Sequence, residues 1–270
     1  GDVYKRQKID NIDGSHTIES HTNEQYGYHW TSQESVMEYD YDPATGKLRR
    51  NGANERIHGI LLIDDGFGNV TMTETKRRYR LLLGQAKVDR VTTHTEIDNI
   101  DSSHSIASHV NEGYGYNWNF RDSVMEYDYD PATGKLRGNG ADERVHGILL
   151  IDDGFGNVTM TRAVRTYRLI KGQAKVDTVT THTGIDNIDG SHTIGSHEVW
   201  RVQDSVMYYT YDEETGLLDE NGAVEDTPAI MLVKDTFGNV RMTRTDRSYT
   251  LIKGQVKVDQ VTTRTEVDSV

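Results

Sequence analysis

One segment occurs three times in this chain, and it constrains the fold more than any other feature. It spans Ser35–Leu48, where it reads SVMEYDYDPATGKL, returns unchanged at Ser123–Leu136, and returns in altered form at Ser205–Leu218. The surrounding residues recur at a spacing of 88, except that six residues are missing from the third copy. A fixed period indicates an architecture in which one structural unit recurs. We therefore predict three repeats, which we call repeat 1 (9–96), repeat 2 (97–184) and repeat 3 (185–266).

The two ends of the chain lie outside these repeats. Residues 267–270 match the opening of repeat 2, so we expect them to begin a fourth, truncated repeat. At the other end, Asp2–Gln7 reads DVYKRQ, which resembles the translation of a sequencing adapter. We therefore expect residues 1–8 to be an adapter scar followed by the start of a strand, and we leave them out of fold reasoning.

The composition excludes several classes of protein. A net charge of −13 argues against a nucleic-acid binder, which needs clustered lysines and arginines. The absence of cysteine excludes disulfides and thiolate metal sites. No apolar run approaches the length that crosses a membrane, so we expect no membrane insertion. Because only 34% of the residues are apolar and the period is strict, a thin sheet that packs against neighbouring repeats is favoured over one deep core.

Local patterns in repeat 2 predict strands joined by turns. Ser123–Asp130 has strand alternation, and Pro131–Gly134 has the composition of a turn. Gly147–Asp153 is a more apolar strand, and Val158–Thr161 and Tyr167–Ile170 are predicted as two separate strands. Further bends or turns are expected at Asn139-Gly140, Gly154–Asn157 and Gly172-Gln173. No stretch shows a 3.6-residue apolar period. We predict an all-β protein, a tandem repeat of antiparallel β-hairpins that forms an elongated sheet or a solenoid-like β-spiral.

A further hairpin is predicted where one repeat meets the next. Val91–Ile97 is rich in β-branched residues, and the returning strand is predicted at Ser103–His109. Asp101-Ser102 lies between them, and the other copies carry Asp13-Gly14 and Asp189-Gly190 there. Asp-Gly is typical of a two-residue hairpin turn, and the length of the turn fixes which residues face each other.

Facing histidines are the sharpest candidate for a metal site. The two-residue turn places His94 opposite His109, and the same register places His182 opposite His197. In repeat 1, it places His21 opposite position 6. Two imidazoles on one strand face could hold Zn²⁺ or Cu²⁺, although protein sites usually have three or four ligands. The alternative is a polar cross-strand pair on a solvated face.

Paired acidic residues in turns are a second candidate for metal binding. They could contact Ca²⁺, although none of these stretches has the alternating acids and the glycine of an EF-hand loop. The alternative is that these carboxylates hydrogen-bond within their own turns, where Asp is favoured. The pairs are Asp10/Asp13, Asp40/Asp42 and Asp64/Asp65.

An aromatic strip is the candidate ligand-binding surface. It consists of alternating residues that could stack on sugar rings, which would suit a glycan-binding surface. The alternative is that these side chains cover the sheet as part of its core, since Trp200 remains in the shortened repeat 3 although the tyrosines do not. The members of the strip are Tyr26, Tyr28, Trp30, Tyr114, Tyr116 and Trp118.

Two motifs resemble a known family. YDYDPATGKL, at Tyr39–Leu48 and Tyr127–Leu136, is similar to the YD repeat of RHS-type proteins. DGFGNVT, at Asp65–Thr71 and Asp153–Thr159, resembles the Gly-Asn element of the same repeats. The resemblance implies β-hairpin repeats from a large bacterial surface or secreted protein. Shells of that family can enclose a toxin, but no toxin domain or self-cleavage motif occurs in this sequence.

The sequence carries no pattern for catalysis, since it has no Gly-x-Ser-x-Gly elbow, phosphate loop or HExxH motif. We therefore expect neither enzymatic activity nor a cofactor. The first hypothesis is a structural spacer or stalk of an extracellular or cell-surface bacterial protein, with neighbouring repeats of the same chain as partners. The second is an adhesin that binds a glycan through the aromatic strip. A third, weaker one is a repeat assembly stabilised by metal.

Overall fold

The computed structural model describes residues 14–252 and 254–270. This part of the chain contains no helix, and strands make up 69% of the structure. The strands form antiparallel hairpins within a large sheet. The prediction of an all-β protein built from antiparallel hairpins is therefore confirmed. Within the described ranges, no sheet closes on itself, and no helix is present that could span a membrane. The expected scar at residues 1–8, position 6 and the Asp10/Asp13 pair lie outside the described residues.

Eight strands follow one another in each of the three sequence repeats. The first set is β1 (His16–Thr17), β2 (Ser20–Asn23), β3 (Tyr28–Thr31), β4 (Val36–Tyr41), β5 (Leu48–Ile57), β6 (Gly59–Asp64), β7 (Val70–Leu82) and β8 (Gln85–Asp98). The second set is β9 (His104–Ser105), β10 (Ser108–Asn111), β11 (Tyr116–Asn119), β12 (Ser123–Tyr129), β13 (Leu136–Val145), β14 (Ile148–Asp152), β15 (Val158–Ile170) and β16 (Gln173–Asp186). The third set is β17 (His192–Thr193), β18 (Ser196–His197), β19 (Trp200–Arg201), β20 (Ser205–Tyr211), β21 (Leu218–Thr227), β22 (Ala229–Lys234), β23 (Val240–Ile252) and β24 (Gln255–Asp268).

The chain divides into two compact units. The first contains residues up to Ile106 together with Arg121–Val145, and its strand order is β1-β6-β7-β8-β9, with β12 paired to both β8 and β13. The second contains Ala107–Phe120 and His146–Val270, and its strand order is β14-β15-β16-β17-β22-β23-β24, with β20 paired to both β16 and β21. Each unit therefore includes one junction between successive sequence repeats.

The longest element in each repeat is a hairpin of two long strands. In repeat 2, β15 and β16 pair continuously from Val158↔Asp186 to Ile170↔Gln173, with one register shift after Thr166. The prediction of two separate strands was wrong, because the intervening residues 162–166 (RAVRT) remain paired despite breaking the apolar alternation. The turn lies at Lys171-Gly172, one residue before the predicted position. Both residues have positive φ (50° and 76°), as the twist of a tight hairpin requires.

The hairpin between repeats has a longer turn than predicted. The Asn99 N–H donates to Ser103 O, the Ser102 N–H donates to Asn99 O, and Ser102 has φ of 75°. This pattern is a three-residue loop whose last residue is left-handed, rather than a two-residue Asp-Gly turn. The register is therefore Asp98↔His104, and the returning strand β9 has only two residues. Asp101 stabilises the loop, since its Oδ1 accepts hydrogen bonds from the N–H and Oγ–H of Ser103.

The YD-like segment forms a hairpin with a capped turn. β12 matches the predicted strand, and Asp130 Oδ1 accepts the N–H groups of Ala132 and Thr133 at 2.7 and 2.9 Å. These hydrogen bonds lower the pKa of Asp130. The predicted bend at Asn139-Gly140 lies inside β13, where the register shifts opposite Asp128. A Cβ on Gly140 would lie 2.3 Å from Asp128 O, so this close approach requires glycine.

The apolar core is small and recurs in each repeat. In each repeat, one fully buried leucine lies on the strand that precedes the long hairpin, and one buried valine is the first residue of the hairpin. Around one of them, Leu232, the residues Trp200, Val202 and Ile230 pack together with Met242. The buried residues are Leu62, Leu150, Leu232, Val70, Val158 and Val240.

Candidate functional site

The predicted aromatic strip lies on a short hairpin, which we call the aromatic hairpin. In the first compact unit it is formed by β2 and β3, with His21 opposite Trp30 and Asn23 opposite Tyr28. Because side chains alternate along a strand, these four residues share one face of the hairpin. Their partly buried face packs on the protein, whereas the alternate residues are exposed.

The aromatic hairpin of repeat 1 holds a buried carboxylate at the start of repeat 2. Asp98 is only 3% exposed. His21 Nε2 lies 2.6 Å from Asp98 Oδ2, and Asn23 Nδ2 donates to both carboxylate oxygens at 3.1 and 3.0 Å. Both oxygens therefore have partners, as a buried carboxylate requires.

Two aromatic side chains add hydrogen bonds to the same contact. The Tyr28 hydroxyl donates to Ser105 O at 2.6 Å, and Trp30 Nε1 donates to Glu96 Oε2 at 3.0 Å. The rings of Tyr28 and Trp30 lie 4.4 Å apart between centroids. Burial, together with the charges of Glu96 and Asp98, raises the pKa of Tyr28. Its hydroxyl therefore stays protonated and remains a donor.

Tyr26, at the tip of the aromatic hairpin, packs against the returning strand β9. Its ring stacks on His104, with 3.6 Å between centroids and 15° between planes. Together with Tyr28 and Trp30, it forms a continuous row of rings that begins at His21. Much of the face of this row is therefore occupied by protein.

The second compact unit contains the same arrangement at equivalent residues. His109 Nε2 lies 2.6 Å from Asp186 Oδ2, and Asn111 Nδ2 donates to the same oxygen at 2.9 Å. The Tyr116 hydroxyl donates to Thr193 O. Burial and the nearby Asp186 raise the pKa of Tyr116 to about 12.

The aromatic face of the second unit is covered by protein only in part, because Tyr114 remains exposed. The ring of Tyr114 stacks on His192 at 3.6 Å, and Trp118 lies 4.5 Å from Tyr116 between ring centroids. The predicted strip thus comes together as one group of three aromatic residues in each unit.

The copies of this contact differ in detail. Asp186 is 2% exposed, and its Oδ1 has no hydrogen-bond partner, whereas both oxygens of Asp98 have one. Gly184 occupies the position that Glu96 has in repeat 1. A Cβ atom on residue 184 would lie only 3.2 Å from the ring of Trp118. In repeat 3 the tyrosines are missing, and the contact reduces to His197 Nε2 and Asp268 Oδ2 at 2.8 Å.

The histidines predicted to face each other do not do so. His94 lies opposite Glu74 in the β7–β8 pair, and His109 lies opposite Trp118. Likewise, His182 lies opposite Arg162 and His197 opposite Trp200. The prediction failed because the three-residue loop shifts the register and β9 ends before reaching His109. In residues 14–252 and 254–270, no group of three or more His, Cys, Asp or Glu residues could hold a metal ion.

His94 and His182 instead contact carboxylates at the start of the next YD-like hairpin. His94 Nδ1 lies 2.7 Å from Asp122 Oδ1, and His182 Nδ1 lies 2.7 Å from Asp204 Oδ1. The hydrogen bond to Glu96, assisted by Asp122, raises the pKa of His94 to about 9. Each imidazole therefore links one sequence repeat to the next.

The acidic turns use their carboxylates locally. Asp65 Oδ1 accepts the N–H groups of Phe67 and Asn69, and its Oδ2 accepts Asn69 Nδ2. These bonds lower the pKa of Asp65. Asp42 caps its own turn in the manner of Asp130, and Asp40 pairs with Arg49.

Sequence reasoning missed the acceptors of the aromatic hairpin, Asp98 and Asp186. The available signal was that an aspartate recurs in the same IDNID stretch of every repeat, alongside a recurring histidine. Their contact joins residues 77 positions apart, which local patterns do not reveal.

No protein-family model matches the chain, and no curated protein or solved structure matches it either.

Proposed function

We propose that this chain is a non-catalytic spacer or stalk region of a large extracellular or cell-surface bacterial protein. The observation that carries the proposal is the junction between sequence repeats, which uses equivalent atoms in both compact units. The contact of His21 with Asp98 recurs as that of His109 with Asp186. Because the same contact recurs at successive junctions, further repeats could be added in series without a different kind of contact between them.

The described side chains support a structural role for the junction. His109, which the sequence offered as a metal ligand, contacts Asp186 across the junction, and the hydroxyl groups of Tyr28 and Tyr116, from the predicted aromatic strip, donate to backbone carbonyl oxygens of the next repeat. The hydrogen-bonded turn of the YD-like segment also fits the resemblance to RHS-type hairpin repeats. A tandem-repeat architecture, elongated and solenoid-like, is part of this proposal.

Insertion of one extra repeat tests the spacer role. We would duplicate residues 97–184 in frame and measure the radius of gyration of both chains by small-angle scattering at a concentration where each is monomeric. A spacer predicts growth in proportion to the added length. A compact particle grows only as a low power of chain length, about 0.38 for the radius of gyration. Growth on that compact scale would refute the proposal.

A glycan-binding adhesin is the second candidate, and one depression in the second compact unit favours it. Asp186 Oδ1 is a buried acceptor without a partner, and the nearby Tyr114 remains 40% exposed. Both line a depression with His109, Asn111 and Gly190. A sugar hydroxyl could donate to this oxygen while its ring packs on the tyrosine. A glycan array probed with the chain and with Tyr114→Ala tests this candidate, since binding that the substitution leaves unchanged would exclude this depression.

A further inference from the structure

The tip of the aromatic hairpin is more open in the second compact unit than in the first. Gly113 occupies the position of Gln25, whose Nε2 donates to the Tyr26 hydroxyl at 2.9 Å. Tyr26 is partly buried, whereas its counterpart Tyr114 is 40% exposed. One face of the Tyr114 ring stacks on His192, which fixes the ring without covering it. The depression beside Asp186 therefore has an aromatic wall that a ligand can contact.

The polar group in this depression is a carboxylate with an unused acceptor. Asp186 is 2% exposed, and its Oδ2 is engaged by His109 and Asn111, whereas its Oδ1 has no hydrogen-bond partner. A buried acceptor without a partner carries a desolvation penalty, which a donor at Oδ1 would remove. Because Oδ1 is itself buried, a small donor group at the end of a ligand fits beside it with the least displacement of neighbouring side chains.

The charges around the depression favour a cationic donor. Among the described residues that line it, none is a lysine or an arginine. Asp189 lies in the adjoining loop, and hydrogen bonds from Ser191 lower its pKa, so a second carboxylate stays ionised nearby. An ionised acceptor binds a charged donor more strongly than a neutral hydroxyl, and the face of a tyrosine ring attracts cations.

The rest of the lining is suited to a ring. Ile188 is 76% exposed and lines the depression together with Tyr114. An apolar lining with a few placed polar groups is typical of small-molecule sites. The C–H groups of a sugar ring can pack on these two side chains while a polar substituent points toward the carboxylate.

We propose that this depression binds an amino sugar, whose ammonium group donates to Asp186 Oδ1 while its ring packs on Tyr114. The inference rests on the glycan-binding candidate and narrows the class of its ligand. The equivalent contact in repeat 1 does not bind the same sugar, because both oxygens of Asp98 are already paired and Tyr26 is partly buried.

Three trisaccharides with the same backbone test the ligand class. They differ only at carbon 2, which carries an amine in the glucosamine trimer, an acetamide in the N-acetylglucosamine trimer and a hydroxyl in the glucose trimer. Titration calorimetry of the full chain at about pH 7 should give an affinity for the glucosamine trimer about tenfold above the other two, because amines of this kind, with a pKa of about 7.7–8.0, are mostly protonated there. Salt at about 150 mM screens attraction to the net charge of −13. Equal affinities for the three trimers would overturn the proposal.

Variants locate the binding at the depression. Asp186→Asn should weaken binding of the glucosamine trimer about tenfold, whereas Asp142→Asn, which makes the same change in net charge at a 58% exposed site, should leave it unchanged. Because Asp186 also holds the repeat junction, Gly113→Gln provides a second variant that adds the side chain found in repeat 1 to an exposed loop. It should weaken binding about tenfold by covering Tyr114 and leave the melting temperature unchanged. Binding that survives both Asp186→Asn and Gly113→Gln would contradict the assignment of the site.

A lysine derivative separates an amino sugar from any other source of ammonium. Nα-acetyl-lysine methylamide carries a primary ammonium but no sugar ring, and it should bind about tenfold more weakly than the glucosamine trimer. Equal affinity would overturn the amino-sugar assignment. If the neutral trimers bind as tightly as the glucosamine trimer, this inference fails while the glycan-binding candidate stands. If no trimer binds, both fail, and the spacer proposal is unaffected because it rests on the repeat junctions.

Discussion

Removing the buried carboxylate at the repeat junction should cost stability in proportion to the contacts that each copy makes. Asp98 accepts from His21 and through both oxygens from Asn23, Asp186 accepts through one oxygen only, and Asp268 contacts one histidine at a 54% exposed site. The three positions are thus a matched series in which the environment varies and the substitution does not.

We expect Asp98→Ala to lower the free energy of unfolding by about 3 kcal/mol, because partly buried donors on His21 and Asn23 lose their charged acceptor. Asp186→Ala should cost about 2 kcal/mol, since its Oδ1 already lacks a partner. Asp268→Ala should cost no more than about 0.5 kcal/mol, as is usual for an exposed ion pair.

Urea unfolding followed by tryptophan fluorescence measures this series. Each repeat carries one tryptophan beside the junction histidine, as with Trp30, whose ring lies 5.3 Å from that of His21 between centroids. A change in midpoint at constant m-value reports stability. Equal losses at Asp98 and Asp268, or no loss at Asp98, would refute the view that this contact holds the repeats together.

Further tests concern the loop at Ser102, the ionisation of His94 and the effect of metal ions. Ser102→Gly should raise stability by about 0.5 kcal/mol and the melting temperature by about 2 °C, because Ser102 has φ of 75° where repeat 3 has Gly190; Ser108→Gly, in a strand, should lower both. The pKa of His94 is raised to about 9, so its stabilising contribution is complete below the unfolded pKa of about 6.5 and is lost as the pH rises through 9. We expect a loss of about 1 kcal/mol that is absent in His94→Gln, and a pH-independent difference between the two proteins would contradict the assignment. Zn²⁺, Ca²⁺ and EDTA should leave the melting temperature unchanged, whereas a metal-stabilised assembly requires a shift that grows with metal concentration.

Local signals in the sequence predicted most strands and several turns. Ser123–Asp130 was predicted from its alternation, and the observed strand is Ser123–Tyr129. The turn after Asp130 was predicted from Pro131 and Gly134, whose backbone preferences act over a few residues. Such features depend on neighbours in sequence, and so a single copy of the repeat is sufficient to find them.

The candidate site was less predictable because small local differences decide long-range contacts. One extra residue in the loop before Ser103 shifts the register and removes the predicted histidine pairs. The partner of His109 is Asp186, and only the folded arrangement of the aromatic hairpin brings the two together. The long strand through Ala163 and Arg165 was missed because its backbone pairing persists where the apolar pattern does not.

Small-angle X-ray scattering on the monomeric chain tests the spacer account most directly. If successive repeats extend in series, as proposed, the radius of gyration is on the order of 30 Å, well above the compact value of about 18 Å for a chain of 270 residues. A value near 18 Å would mean that the repeats fold back on one another, and it would contradict the spacer role.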